Sequence, residues 1–118
     1  MNLSSANFIR LLGALEDLAA QESIQLSNED YAAVRQTQEQ AAPLIAELVR
    51  LGGNAVTPDS RPRLAALLAR RQRNQENLAS QLAQVRDALV RTETSRRRVN
   101  QVAPIYGARQ PSRKHAVA

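Results

Sequence analysis

A chain of 118 residues is long enough for one domain, and with 43% apolar but only 3% aromatic residues it must build its core from Ala, Leu and Val. That composition suits narrow helix–helix seams; the absence of Cys excludes disulfides and thiolate metal sites, and no apolar run approaches the ~20 residues of a membrane span. The net charge of +5 is unevenly laid out, with eight acids and three Arg in residues 1–60 against three acids and thirteen Arg or Lys in residues 61–118.

Two readings of this asymmetry are open: acidic helices pair with a basic one inside the fold, or the basic half meets an external anion. Neither Gly nor Pro interrupts the stretch from Arg63 to Ala103, and β-branched residues form no strand-like run. The fold predicted is all-α: an elongated antiparallel helical hairpin or coiled-coil bundle, with a kinked first arm and one long second helix. The N-terminus lacks the charged-then-apolar pattern of a secretory leader, so a soluble cytoplasmic protein is expected.

In chain order, Ser4 and Ser5 are candidate N-caps. Phe8, Leu11, Leu12, Leu15, Leu18 and Ala19 follow on one helical stripe, which predicts a helix over about 5–23. Glu16 and Asp17 fall largely off the stripe, whereas Glu22 falls back onto it. Ser27 followed by Asp30 resembles a capping box with Asp in place of Glu, and predicts a break or kink near 26–27.

The period resumes with Tyr31, Val34, Gln38, Ala41, Ile45 and Leu48, a heptad spacing. Pro43 lies inside it and predicts a kink rather than an end, because the apolar period continues to Leu51. Gly52-Gly53-Asn54 then stops the helix. Thr57 with Pro58, or Ser60 with Pro62, opens the long helix.

That helix is predicted over 60–102, roughly 60 Å at the α-helical rise. Its stripe runs through Leu64, Leu68, Leu78, Leu82, Val85, Leu89 and Val99, with Arg71, Gln75, Thr92 and Arg96 as polar members. Pro104 is expected to end it. The domain is placed at 1–103, followed by a flexible basic tail at 104–118.

No chemistry of catalysis stands out. His115 is the only His and lies in the tail. Glu16, Asp17, Glu22, Glu29 and Asp30 read as acids of solvated faces, and Gly52-Gly53 follows a helix rather than the strand a phosphate loop needs. The expectation is a non-enzyme without cofactor or metal.

The run Arg96-Arg97-Arg98 with Arg109, Arg113 and Lys114 could contact phosphates. It equally suits the negative end of a helix dipole, and with no aromatic side chains interleaved a nucleic-acid partner is not expected. The apolar cluster Val99, Val102, Ile105 and Tyr106 either forms an exposed patch for a partner helix, packs on Phe8 and Leu12, or closes a homodimer.

The order of these features resembles the FlgN-like family of flagellar export chaperones. The first arm, Phe8 to Glu22, is followed by an acidic interruption, Leu26 to Asp30, and a second stretch, Tyr31 to Leu51. Asn74 and Asn77 stand in the long helix, and Tyr106-Gly107 near its end. The resemblance implies a cytoplasmic chaperone that holds unassembled hook–filament junction proteins (flagellar hook-associated proteins) by their C-terminal helical segments. Its client-binding region maps to Leu82, Val85, Leu89, Val99, Val102, Ile105 and Tyr106. A structural coiled-coil dimer and a small basic nucleic-acid-associated protein are the alternatives.

Overall fold

A computed structural model describes residues 2–108 of the chain, with side chains from 2 to 102. Helices α1 (Leu3–Ser27), α2 (Tyr31–Leu51) and α3 (Ser60–Ala108) follow one another, with a short 3-10 turn at Gly53–Ala55. The described residues contain no strand, and the all-α, helical-hairpin expectation holds. The chain divides into two compact units, Met1–Ala79 and Ser80–Ala118.

In the first unit, α1 is capped by Asn2, ahead of the expected Ser4 and Ser5. The Asn2 side chain accepts from the Ser5 amide at 2.8 Å, and Ser5 itself is buried in the first turn. The helix also runs past 23. Phe8, Leu12, Leu15, Ala19, Glu22 and Leu26 are all buried, each three or four residues from the last. One face therefore stays covered to the C-terminus.

The break at 26–30 is a full reversal rather than a kink. Asn28 closes α1 through its amide, Glu29 adopts a left-handed φ of 56°, and Asp30 caps α2 by accepting from the Ala33 amide at 3.2 Å. Helix α2 then returns along α1. The Thr37 hydroxyl donates to Gln25 Oε1 at 2.8 Å, and Gln38 Nε2 donates to Glu22 Oε2 at 2.9 Å. Those pairings step up one helix while stepping down the other, so α1 and α2 form an antiparallel hairpin of their own.

Helix α2 passes through Pro43, whose ring is exposed. A proline removes one intrahelical donor, and the turns on either side keep theirs. Gly52 ends the helix at φ 75° and ψ 179°, a conformation essentially confined to Gly. Thr57 then opens α3. Its amide donates to the Ser60 hydroxyl at 2.9 Å, while the Ser60 amide donates to Thr57 Oγ1 at 3.2 Å. This is a capping box with Ser in the returning position, and it selects Thr57-Pro58 over Ser60-Pro62 as the start.

Phe8, Leu12, Leu15, Ala19, Ala41, Ala55 and Leu67 make one buried cluster, flanked by half-buried Leu44, Ile45, Leu48 and Leu64. The N-terminal part of α3 closes it, and α3 runs parallel to α1: Arg63 meets Glu16, and Asn74 meets Ala19, Glu22 and Ser23. The first unit is therefore an up-down-up three-helix bundle. Its α3 seam is Ser60, Leu64, Leu67, Arg71, Asn74 and Leu78, all buried or half-buried. Two expected seam members, Leu68 and Gln75, are exposed instead. The seam lies one residue to the side because Asn74, not Gln75, finds partners on α1.

Among the described residues, the second unit is the C-terminal part of α3. Every residue from 84 to 102 is exposed. The helix continues through Pro104 to Ala108, past the expected end at Ala103. Residues 109–118, with Arg109, Arg113, Lys114 and His115, lie outside the described residues, as do the side chains of Ile105 and Tyr106.

Candidate functional site

The apolar residues expected to bind a partner are in the open. Leu82, Val85, Leu89, Val99 and Val102 are 46%, 43%, 65%, 64% and 42% exposed. A helix forms here because Arg, Ala, Leu and Gln make up just over half of residues 80–102 and no Gly interrupts it. At about 100° of turn per residue, Leu82, Val85 and Leu89 fall within roughly 60° of one another. Thr92, Arg96 and Val99 continue that stripe as it drifts around the helix, whereas Val102 lies roughly 160° from Leu82. The Thr92 hydroxyl donates to the Ala88 carbonyl at 2.9 Å, which satisfies its proton locally.

Arg96 stands on the stripe and Arg86 beside it, while Arg91, Arg97 and Arg98 lie roughly 130° away around the helix. Between 80 and 102 stand Arg86, Arg91, Arg96, Arg97 and Arg98 against Asp87 and Glu93. Arg96 approaches Glu93 at 3.9 Å, with both side chains more than half exposed. Among the described residues, no carboxylate pairs with Arg86, Arg91, Arg97 or Arg98.

The first unit carries an apolar groove of about 330 Å³ lined by Phe8, Leu15, Ile45, Leu48, Leu64 and Leu68, with Arg71 as its only charged neighbour. Phe8 and Leu12, the alternative seat for the C-terminal apolar cluster, are covered by residues of their own unit.

Internal pairing of an acidic with a basic helix accounts for little of the charge asymmetry. Among the described residues one ion pair joins two helices, Arg63 to Glu16, with Nη2 and Oε1 2.6 Å apart. The hydrogen bond from the Arg63 guanidinium holds the Glu16 carboxyl below its ordinary value; desolvation opposes it, and the charge of Arg63 adds the smallest effect. The remaining pairs, Arg35–Glu39, Arg50–Glu47 and Arg96–Glu93, lie within single helices.

A polar network inside the bundle escaped the sequence reading. Glu22, expected on a solvated face, is 6% exposed and accepts from Asn74 Nδ2 at 3.0 Å and Gln38 Nε2 at 2.9 Å. Asn74 Nδ2 also donates to the Ala19 carbonyl at 3.1 Å, and Asn74 Oδ1 accepts from the Ser23 hydroxyl at 2.9 Å. The signal was Glu22 itself, an acid on an otherwise apolar stripe. Both of its oxygens are satisfied by amides, so the network locks three helices in register.

Among the described residues no group of three His, Cys, Asp or Glu could hold a metal ion, and no helix is long and apolar enough to cross a membrane. The chain matches no family model, no curated protein and no solved structure.

Proposed function

We propose that this protein is a helical binding protein whose second unit captures an amphipathic helix of a client, as a cytoplasmic export chaperone of the FlgN-like type does for unassembled flagellar hook–filament junction proteins. The observation that carries the reading is the exposure of Leu82, Val85 and Leu89 on one face of a helix, in a stretch where residues 84–102 are all exposed. Contiguous exposed apolar side chains mark partner surfaces, and this spacing fits helix-on-helix burial. Covering three or four such side chains yields about 1.5–3 kcal/mol each, enough for a reversible complex after the cost of association. The chemistry is burial alone, and the reading assigns no reaction.

The test is capture of hook–filament junction proteins, and of peptides spanning their C-terminal helices, by the full chain and by a Leu82→Asn/Val85→Asn/Leu89→Asn variant. Retention by the full chain and loss by the variant, with an unchanged urea transition of the first unit, is the expected outcome. Equal retention by both excludes the stripe as the site. Capture of nucleic acid at low salt only would replace this reading with that of a basic nucleic-acid-associated protein.

A further inference from the structure

Resting on the docking reading above, we infer that the occupant of the 82–99 stripe is an acidic amphipathic helix of another protein, with a carboxylate placed to meet Arg96, and not a second copy of this chain. The stripe is Leu82, Val85, Leu89, Thr92, Arg96 and Val99, spaced 3, 4, 3, 4, 3. Arg96 stands on the apolar face itself. Any helix that covers Leu89 and Val99 also covers Arg96, and a buried guanidinium needs an acceptor from the other side. Its neighbour Glu93, at 3.9 Å on the same helix, is too distant to hydrogen-bond.

A second copy supplies no acceptor. Parallel and in register, Arg96 meets Arg96. Antiparallel and centred on the stripe, Arg96 falls against Val85 and Arg86. In either arrangement Arg96 faces an arginine or an apolar side chain and not a carboxylate.

Phosphate would match the arginines but not Leu82, Val85 and Leu89, and no aromatic side chain stands between 80 and 102 to stack on a base. A helix with an apolar face and acidic flanks matches both halves of the surface. It places a carboxylate against Arg96 and another beside Arg86, which no carboxylate pairs among the described residues. Such charge matching selects the partner and its register, while the leucines hold it.

Three synthetic helical peptides with identical apolar heptad positions test this on the full-length protein, their flanking positions being Glu, Gln or Lys. Binding is read by fluorescence anisotropy, and self-association by sedimentation equilibrium. The expected result is at least about tenfold tighter binding of the Glu peptide than the Gln peptide, about 1.4 kcal/mol, with the Lys peptide weakest. Arg96→Glu, at an exposed helical position, should erase or invert that order.

Equal binding of the Glu and Gln peptides, both lost in Leu89→Asn, would overturn the charge inference and leave the docking reading standing. Binding of none of the three would overturn both. A salt-insensitive dimer whose formation competes with every peptide would assign the stripe to a second copy. Tighter binding of single-stranded RNA than of any peptide would assign it to nucleic acid.

Discussion

Asn74 stands where an apolar seam would place a leucine, and both ends of its amide are engaged on α1. Glu22 beside it is the costlier group to bury, because an ionised carboxylate without donors is strongly unfavourable away from water. Asn74 and Gln38 supply one donor to each of its oxygens. Asn74→Leu adds apolar volume but removes a donor from Glu22, whereas the Ser23 hydroxyl keeps the Ala19 carbonyl as acceptor at 3.0 Å. The unsatisfied carboxylate oxygen costs about 1–3 kcal/mol, more than the gain from one partly accommodated side chain. The expected outcome is a lower urea midpoint for Asn74→Leu, with the loss reduced when Glu22→Leu is combined with it. A stabilised single variant would show that the network is no constraint on the bundle.

At the scale of the elements, the ends of the helices decide the topology. Gly52 holds φ 75° and ψ 179°, and a Cβ built on it would meet nothing within 4 Å. The effect of Gly52→Ala is therefore purely conformational, about 1–3 kcal/mol of backbone strain. A thermal melt should show that loss, and Gly53→Ala, also in open space but without the positive φ, should show much less. The stop at Gly52 and the start at Thr57-Pro58 were legible because Gly, Thr and Pro carry local conformational preferences. So was the α1 stripe, whose Phe8, Leu11, Leu12, Leu15 and Ala19 are all buried. The reversal at Asn28–Asp30 was not, because its left-handed residue is Glu29, a type that gives no turn signal. The choice of Leu67 over Leu68 was equally hidden. Adjacent leucines fit the same period, and only the partners of Asn74 across the bundle decide between them. The exposed stripe could be read as apolar, but its exposure depends on how much of α3 the bundle covers, which periodicity alone does not fix.

For the whole molecule, the two units should differ in how their backbones are protected. The first unit buries Phe8, Leu12, Leu15 and Leu26 and ties three helices through Glu22 and Asn74. Its amides should exchange only through unfolding of the bundle. The described part of the second unit, from 80 to 108, is one helix whose residues 84–102 are all exposed, so the amides there have only helix–coil equilibrium to protect them. Hydrogen exchange read by mass spectrometry on the free chain should show slow exchange in peptides from α1 and α2 and fast exchange over 84–102. Addition of the acidic amphipathic peptide should then slow exchange over 82–99 and leave α1 and α2 unchanged, because burial of Leu82, Val85 and Leu89 against a partner couples helix formation there to binding. Protection over 84–102 in the free chain that rises with protein concentration would instead mean that the stripe is already covered by a second copy. Protection equal to that of α1 at every concentration would mean that the second unit is stabilised within the monomer, and the stripe would then be no docking surface.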